Sequence, residues 1–373
     1  MGAPIVQRGV LSPLSASHCS GSEKSTGRTH YRFSCGERTK TPLYKHQAVG
    51  VARLINRLSV QGYYALTDEC GLGKTAQALV ATSVLKSRGV IDAVVIVCKA
   101  DLASNWLHEI EMHTDFSVSC ISGEVPVRRR AAWHSNADCY VTNYTLHGRR
   151  GRAGYLVNAV TQTQFFANED SVALLALLKR KRCLIILDES HEIKNNGAAV
   201  TRALLAVAPL ARARLILTGT LEAESPLDVW AQLFFLDMGQ MLGRSYRAFA
   251  SRYVTFEQKQ FWNGGRQVTI LKPASYKRLD ELAEKIRGVS LRRRKTDCLG
   301  LPPKIYKQRT CTPSARHRQL LGALRDTLLD EVNKTSAETV RLAADGPIAR
   351  TIQALLRASV APSLIDSTVM EWP

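Results

Sequence analysis

The stretch Asp68-Glu69-Cys70-Gly71-Leu72-Gly73-Lys74-Thr75 lies between a short apolar run at 63–67 and a helical pattern that begins at Thr75. A glycine-rich turn between a strand and a helix is the setting of a phosphate-binding loop. Its glycines let the backbone wrap phosphates, while Lys74 adds a positive charge and Thr75 offers a hydroxyl to Mg²⁺. The general motif has glycine where Asp68 stands, so a glycine-rich turn without a ligand is the alternative interpretation.

Up to about residue 240, the chain alternates between helical patterns and short apolar runs. Val51, Leu54, Ile55 and Leu58 recur at helical spacing, which predicts a helix with one buried face. The apolar runs lack polar alternation, as do parallel strands that helices cover on both faces. We therefore predict a doubly wound α/β domain, in which ligands bind at the carboxyl ends of the strands. The runs lie at 93–98, 139–142, 183–187 and 214–218.

An acidic pair, Asp188-Glu189, follows the apolar run at 183–187. A carboxylate at a strand end near a phosphate-binding loop can hold Mg²⁺ through water, which is the role expected of Asp188. A second carboxylate beside it, Glu189, can act as general base for the attacking water. A surface pair that caps the next helix is the alternative. The occurrence of both the loop and the pair favours a nucleotide triphosphatase.

Two weaker signals fit the same site. Thr218-Gly219-Thr220 follows the last apolar run, and its hydroxyls can hydrogen-bond the acidic pair and sense a γ-phosphate. Gln47 precedes the first predicted helix, and its amide can read an adenine edge because it both donates and accepts hydrogen bonds. Neither signal is specific without the loop and the acidic pair.

The chain is strongly basic, with a formal net charge of +19 and a pI of about 9.8 over 373 residues. Such an excess predicts a polyanionic partner, and nucleic acid is the leading candidate. An anionic membrane surface is the alternative, but no basic amphipathic helix supports it. The arginine clusters at 128–130, 149–152 and 292–294 either contact phosphates or form solvated surface.

Cysteine usage indicates a reducing compartment. The nine cysteines are scattered and form no C-x-x-C pair, so neither a disulfide framework nor a zinc ribbon is indicated. The spacing of His18, Cys19, His30 and Cys35 matches no standard zinc pattern. Without a recognisable signal peptide or a bilayer-spanning apolar run, we expect a soluble intracellular protein with no membrane partner. It would lie in the cytoplasm or nucleoid of a bacterium, or in a eukaryotic nucleus.

Composition suggests four regions. Residues 1–40 are rich in Ser, Gly, Thr and Arg and are expected to form a flexible tail. Residues 41–240 form the α/β domain, in which the long connection at 147–182 carries its own helix or is a functional insertion. Residues 241–313 are interpreted as a helical, basic extension, and residues 314–373 as a helical linker. Helices are predicted at 275–288, 314–334 and 347–360.

Taken in order, these motifs resemble those of the Swi/Snf-type DNA-dependent ATPases of helicase superfamily 2. Residues 44–50 resemble the adenine-reading Q motif, and residues 68–75 resemble motif I of that family, where aspartate usually replaces the first glycine. Asp188-Glu189-Ser190-His191 resembles motif II, and the form of this box is similar to that of annealing helicases. Further resemblances cover 98–106 with motif Ia, 141–144 with motif Ib, 217–220 with motif III, and the basic segment 291–304.

The resemblance implies a RecA-like P-loop NTPase lobe with a central parallel sheet, ATP and Mg²⁺ as cofactors, and duplex or branched DNA as the track for translocation. Lys74, Asp188 and Glu189 would carry hydrolysis, and Thr75 and Asp188 would hold Mg²⁺. Gln47 and residues 68–75 would bind the nucleotide. The coupling residues would be His191, Thr218, Gly219 and Thr220, and the candidate DNA contacts Lys99, Ser104, Asn143, Tyr144 and Thr145.

Two departures from the family pattern matter. After Thr220 the family usually has Pro-Leu-Gln-Asn, whereas this chain has Leu221-Glu222-Ala223-Glu224. No stretch matches motifs IV to VI, so the second RecA-like lobe is expected to be absent and supplied in trans or lost. The chain would then be an ATP hydrolase whose activity depends on that lobe. A truncated, inactive DNA-binding module is the alternative, and a small-molecule P-loop kinase explains less of the sequence.

Overall fold

The computed structural model describes residues 28–29, 40–219, 221, 225–263, 266–300, 314–334 and 352. Its centre is a seven-stranded parallel sheet with strand order β13-β3-β10-β9-β4-β6-β5. The predicted α/β lobe with a central parallel sheet is therefore confirmed. The sheet strands are β3 (Tyr63–Leu66), β4 (Ala93–Cys98), β5 (Val118–Cys120), β6 (Cys139–Asn143), β9 (Cys183–Asp188), β10 (Ala213–Leu217) and β13 (Ser290–Leu291).

Helices cover both faces of this sheet, because successive side chains of its strands point to opposite sides. In β4, Val94 and Ile96 pack in the cluster that contains Trp106, while Val95 and Val97 pack in the cluster that contains Trp230. The helices are α1 (Lys45–Val60), α2 (Lys74–Ser87), α3 (Ala103–His113), α4 (Pro126–His134), α5 (Tyr144–Gly148), α6 (Glu169–Arg180), α7 (Ala199–Val207) and α8 (Val229–Asp237).

The parallel register brings the motif-bearing strand ends to one edge of the sheet. Leu217 in β10 lies opposite both Leu66 in β3 and Asp188 in β9. Cys98 in β4 lies opposite Asn143 in β6. The chain leaves each of these strands in the same direction, so the loops that follow them share one edge, as expected for a ligand site in this architecture.

Two antiparallel hairpins were not predicted. The connection at 147–182 contains, besides α6, a hairpin of β7 (Gly154–Val157) and β8 (Gln164–Ala167). In the extension, α9 (Tyr246–Tyr253) leads into a long hairpin of β11 (Val254–Asn263) and β12 (Arg266–Tyr276). Side chains of this second hairpin are largely exposed on both faces wherever they are described, so it has no one-sided apolar alternation to reveal it.

After the hairpin, α10 (Leu279–Val289) matches the helix predicted at 275–288. It is followed by β13, which joins the sheet beside β3, and by the short helix α11 (Lys295–Cys298). The sheet thus takes a strand from beyond residue 240, where the sequence analysis placed the end of the lobe. The extension is a mixture of helix and strand rather than the helical segment that was predicted.

The remaining predictions fall at the chain ends. In the predicted tail 1–40, Arg28–Thr29 forms a two-residue strand, β1, that pairs with β2 (Leu43–Tyr44). The rest of that tail, except Lys40, lies outside the described residues, as does the helix predicted at 347–360 apart from Ile352. In a separate unit, 302–373, helix α12 (Ala315–Lys334) confirms the helix predicted at 314–334. No helix in the described ranges is long and apolar enough to cross a membrane.

Candidate active site

The glycine-rich loop at 68–75 connects β3 to the start of α2. Gly71 and Gly73 have φ angles of 90° and 74°, which favour glycine. A Cβ built on Gly73 would lie 2.2 Å from Nε2 of Gln47, so packing as well as conformation requires a glycine there. Lys74 begins the helix, and its Nζ donates to the backbone oxygen of Asp68 at 3.0 Å. The loop thus has the strand-to-helix setting that the sequence predicts.

Asp68, at the position where the general motif has glycine, is fully buried and ion-paired. Its carboxylate accepts from Nε of Arg293 at 3.0 Å and also from Nη2 of the same guanidinium. Gln77 adds a hydrogen bond from Nε2 to Oδ2 of Asp68 at 3.2 Å, and its Oε1 accepts from Nη2 of Arg293 at 2.7 Å. The other nitrogen, Nη1 of Arg293, donates to the backbone oxygen of His46. This two-point geometry belongs to the strong class of charge-assisted pairs.

The backbone at 291–295 continues beyond β13 alongside the loop. Thr67 donates its backbone N–H to the oxygen of Leu291 at 2.8 Å, and Glu69 donates to the oxygen of Arg293 at 3.0 Å. In return, the backbone N–H of Lys295 donates to Oε2 of Glu69 at 2.7 Å. Residues 291–295 therefore hold the first part of the loop in place.

Sequence reasoning missed Arg293 as a part of this site and described it only within a basic segment. One signal was available, because an aspartate beside a buried strand requires a cation or several hydrogen bonds. What sequence could not supply was the identity of the cation, since Arg293 lies 225 residues from Asp68.

Gln47 lies against the loop at the start of α1. Its Oε1 accepts from the backbone N–H of Tyr44 at 2.9 Å, and its Nε2 donates to the backbone oxygen of Leu72 at 3.3 Å. Nε2 of His46 contacts the same Leu72 oxygen at 3.3 Å, and burial lowers the pKa of that histidine. The structure therefore brings Gln47 to the loop, in the neighbourhood that an adenine-reading residue requires.

Asp188 is the last residue of β9 and lies half-buried at the edge of the sheet that carries the motifs. Nε1 of Trp106 donates to its Oδ2 at 2.8 Å, and the hydroxyl of Tyr144 donates to its backbone oxygen at 2.7 Å. Burial raises the pKa of Asp188, and the negative charge of Glu189 acts in the same direction, whereas the hydrogen bonds from Trp106 and from the Glu189 backbone and the charge of Lys74 oppose the shift. Among the described residues, Asp188 thus lacks the arginine partner that Asp68 has.

Glu189 begins a contact chain of charged side chains. It adopts a left-handed φ of 50°, which is uncommon for a residue other than glycine and costs free energy unless the surroundings enforce it. Its Oε2 lies 3.4 Å from Nδ1 of His191, a buried nitrogen that makes no hydrogen bond within the described part of the chain. Nε2 of His191 lies 3.7 Å from Oε1 of Glu192, and Nζ of Lys99 lies 3.2 Å from that same oxygen. Lys99 and Glu189 are thereby linked through His191 and Glu192.

The segment after β10 packs against the glycine-rich loop and the end of β3. Thr218 is fully buried, and its backbone N–H donates to the oxygen of Leu66 at 3.2 Å. A Cβ built on Gly219 would lie 2.7 Å from Sγ of Cys70, so a larger residue would require the Cys70 side chain to move. Thr220, Glu222 and Glu224 lie outside the described residues. Two of the three predicted coupling residues of this tripeptide are therefore next to the loop.

The candidate DNA contacts fall into exposed and buried groups. Ser104 and Thr145 are exposed at the starts of α3 and α5, and Lys99 is half-exposed. The side chain of Asn143 caps α5 by accepting from the N–H of Leu146 at 3.0 Å. Tyr144 is buried, with its hydroxyl on the Asp188 backbone, so only its main chain could contact DNA.

The donor set suits Mg²⁺ better than a transition metal. Across the described ranges, no group of three or more His, Cys, Asp and Glu side chains has the arrangement of a metal cage. Mg²⁺ is usually held by one or two carboxylates together with substrate phosphates and water, rather than by a dedicated cage. Asp188 and the hydroxyl of the half-buried Thr75 lie at the same edge of the sheet, where only β10 separates their strands, and they fit that requirement.

Comparison with known proteins places this geometry in a family. The model of the SNF2-related domain matches residues 46–358. The mouse SWI/SNF-related matrix-associated actin-dependent regulator of chromatin subfamily A containing DEAD/H box 1 is 27% identical over 307 residues, covering 80% of this chain and 27% of the relative. Human DNA annealing helicase and endonuclease ZRANB3 is 28% identical over 312 residues, covering 82% of this chain and 26% of the relative. The chain thus spans about a quarter of the length of these relatives.

Solved structures agree on the fold. The Sulfolobus solfataricus SWI2/SNF2 ATPase core in complex with dsDNA aligns with a TM-score of 0.52 and 20% identity, covering 88% of this chain and 60% of that one. Because annealing helicases and other relatives are equally similar in sequence, the finer assignment to the annealing-helicase branch stays a prediction. With a family model that matches most of its length, this chain belongs to the SNF2-related domain family, within the Swi/Snf-type group of helicase superfamily 2.

Proposed function

We propose that this chain is the ATP-binding lobe of a DNA-dependent ATPase that moves along duplex or branched DNA. The observation that carries the proposal is the meeting of two motifs at one sheet edge. The glycine-rich loop follows β3, and Asp188-Glu189 follows β9, with only β10 between these strands. A basic charge of +19 favours a polyanionic track.

The loop would bind the phosphates. Backbone N–H groups at the start of α2 favour negative charge, and Lys74 adds a cation beside them. Thr75 and Asp188 would hold Mg²⁺. When bound, this ion would neutralise negative charge on the phosphates. Gln47, already packed on Gly73, would orient the adenine.

Glu189 would act as general base by accepting a proton from the attacking water. Its left-handed backbone aims the side chain away from the regular path of β9, towards His191. A backbone of this kind is retained only when the surroundings enforce it, which is consistent with a functional role.

Coupling to DNA would run through the chain Lys99–Glu192–His191–Glu189. When Lys99 contacts a DNA phosphate, Glu192 loses its ion pair with the Lys99 ammonium. Its carboxylate then interacts more strongly with His191. Because His191 is then held by Glu192, its contact with Glu189 weakens. The Glu189 carboxylate is then free to accept a proton from the attacking water. Glu192 was not among the residues predicted from sequence.

Full hydrolysis would need a second RecA-like lobe, because such a lobe supplies an arginine finger in this family. An arginine finger contributes about 10³–10⁵ in rate, or roughly 4–7 kcal/mol of barrier. The lobe described here should therefore bind ATP and turn it over slowly by itself.

The test measures nucleotide binding and single-turnover hydrolysis separately. Binding of a fluorescent ATP analogue with Mg²⁺ should be lost in Lys74→Ala and kept in Glu189→Gln. Single-turnover hydrolysis, with enzyme in excess and duplex DNA present, should be lost in both variants. A protein that binds DNA with a steep salt dependence, but binds no nucleotide, would instead be the inactive DNA-binding module.

The coupling proposal has its own readout. Glu192→Gln should leave ATP-analogue binding unchanged but reduce the stimulation of hydrolysis by DNA, since the neutral amide cannot form an ion pair with either Lys99 or His191. Glu109→Gln, which removes a carboxylate that contacts His113 on α3, is the matched control. Equal stimulation of the Glu192→Gln and wild-type proteins by DNA would refute the coupling route.

A further inference from the structure

The hairpin β7–β8 carries exposed aromatic rings, which folded domains normally bury. Tyr155 is 58% exposed and Phe166 is 49% exposed, and they are cross-strand neighbours in the hairpin. Their ring centroids lie 4.5 Å apart, and the guanidinium of Arg152 lies 5.3 Å from the centre of the Phe166 ring. Two rings and a guanidinium therefore form one contiguous, exposed cluster, in which the two rings are tilted by 33°.

Besides Arg152, two more arginines lie near this cluster, since Arg149 and Arg150 line one cavity together with Phe166. Within the part of the chain that the structure describes, no ion pair involves Arg149, Arg150 or Arg152, and all three are exposed. The two acidic residues that line a cavity together with these arginines are already engaged. Asp170 pairs with the buried Arg129 at 3.1 Å, and Glu169 pairs with Arg130 at 3.4 Å.

The arginines are held on a fixed backbone. The buried side chain of Asn168 donates from Nδ2 to the backbone oxygens of Leu146 at 2.9 Å and Arg149 at 2.8 Å. A Cβ built on Gly151 would lie 2.7 Å from Cα of Asn168, so the glycine between Arg150 and Arg152 is needed for this close approach. The positive charges are thus presented from a preorganised turn rather than a loose loop.

A cavity of about 340 Å³ opens beside this turn and is lined by all three arginines together with Asn168. Its volume lies in the range of pockets that hold small ligands or single building blocks of a polymer. The turn begins four residues after Thr145, a candidate DNA contact that is likewise exposed.

We propose that Arg149, Arg150, Arg152, Tyr155 and Phe166, here named the basic-aromatic surface, bind single-stranded DNA. Arginines neutralise backbone phosphates, and exposed aromatic rings stack on bases. A duplex cannot use the rings in this way, because its base faces are already stacked on one another. The inference rests on the proposed association with DNA, and it adds a single-strand contact outside the ATP-dependent motifs.

The test compares two fluorescein-labelled probes by anisotropy at fixed salt, an oligodeoxythymidylate of about 20 nucleotides and a duplex of about 20 base pairs, each longer than the site sizes of typical single-strand binders. Phe166→Ala should weaken single-strand binding roughly tenfold, since stacking on one aromatic ring typically contributes that much. Duplex binding and binding of the fluorescent ATP analogue should be unchanged. Phe166→Tyr keeps a ring and should restore single-strand affinity.

The charge component is read from salt dependence. Replacing Arg149, Arg150 and Arg152 with alanine should reduce the slope of log affinity against log salt by about two for the single strand, since each phosphate contact contributes about 0.7. Arg287→Ala removes an exposed arginine from α10 and is the matched control.

The outcomes separate the hypotheses. If Phe166→Ala weakens both probes equally, the surface is a general DNA contact, and if it weakens neither, the surface is not a DNA site; either result overturns the proposal. ATP-analogue binding that fails in the wild type would count against the proposed function but would leave a ring-dependent single-strand affinity intact. Thermal unfolding of each variant confirms that the protein remains folded.

Discussion

Two arginine-rich segments of similar composition are used in opposite ways. In 292–294, the guanidinium of Arg293 is largely buried and every nitrogen that it offers meets Asp68, Gln77 or a backbone oxygen. In 149–152, the arginines are exposed and have no ion-pair partner among the described residues. In the first segment the charge holds the glycine-rich loop together, whereas in the second segment it faces solvent. An arginine cluster therefore indicates a polyanion site only when no buried carboxylate claims it.

Replacing Arg293 is expected to have the largest effect on stability. Arg293→Ala leaves the buried carboxylate of Asp68 without its cation, so the free energy of unfolding should fall by about 3–5 kcal/mol. Urea denaturation measures this loss, and the affinity for an ATP analogue should fall with it because the loop is no longer held.

The double variant Asp68→Ala, Arg293→Ala is the control for this pair. Removing both charges should restore part of the lost stability, since the penalty arises mainly from an unpaired buried charge. A double variant that is as unstable as the sum of the two single variants would show that the pair is not the main interaction of Arg293.

A smaller effect is expected from packing around the same guanidinium. A Cβ built on Gly50 would lie 1.9 Å from Oε1 of Gln77 and 2.8 Å from Nη2 of Arg293. Gly50→Ala should therefore destabilise the protein by roughly 1–3 kcal/mol, despite the better helix propensity of alanine. Gly288→Ala in α10, where a Cβ meets nothing within 4 Å, should be neutral or slightly stabilising in the same denaturation experiment.

The carboxylate of Asp188 is partly buried and, unlike that of Asp68, has no arginine partner among the described residues. Because burial raises its pKa, the native state holds its proton more tightly than the unfolded state does, and ionisation weakens the fold. Asp188→Asn should raise stability at neutral pH by about 0.5–2 kcal/mol while abolishing Mg²⁺-dependent nucleotide binding.

The stability gained by Asp188→Asn should depend on pH. As the pH falls through the raised pKa of Asp188 towards the ordinary carboxyl range, the wild-type carboxyl becomes neutral, so the advantage of the Asp188→Asn variant should vanish. Melting temperatures of both proteins across about pH 3–8, a range that spans the ordinary and raised carboxyl values, measure this. A gain that stays constant with pH would contradict burial of the charge as its cause.

The smallest effect is expected at the exposed arginines. Arg150→Ala should change the free energy of unfolding by no more than about 0.5 kcal/mol, because the side chain has no ion-pair partner to lose within the described ranges. A loss above about 1 kcal/mol would show that Arg150 is a structural residue like Arg293 and would remove the contrast between the two segments.

Local patterns were enough to predict the lobe and the edge of the sheet at which its motifs lie. The apolar runs at 93–98 and 183–187 became central strands, because a run without polar alternation is buried on both faces. The loop at 68–75 and the pair Asp188-Glu189 followed directly, since motifs at the ends of parallel strands meet at one edge. Their individual roles in ATP binding and hydrolysis remain predictions.

Long-range pairings were beyond prediction. Neither the Asp68–Arg293 pair nor the addition of β13 beside β3 has a local signature, because each joins segments more than 200 residues apart. The hairpins were missed for another reason. In β7 and β8, exposed rings replace the apolar-inside, polar-outside alternation by which half-buried strands are recognised.

The position of β13 has a consequence for synthesis on the ribosome. Until β13 emerges, β3 is an open edge strand, and such edges pair readily with other chains. Arg293 follows Asp68 by 225 residues, so at about 5–20 residues per second the nascent loop waits roughly 10–45 s for its partner. We therefore expect nucleotide binding to be the last property that the nascent lobe acquires, and chaperone dependence to be concentrated in this interval.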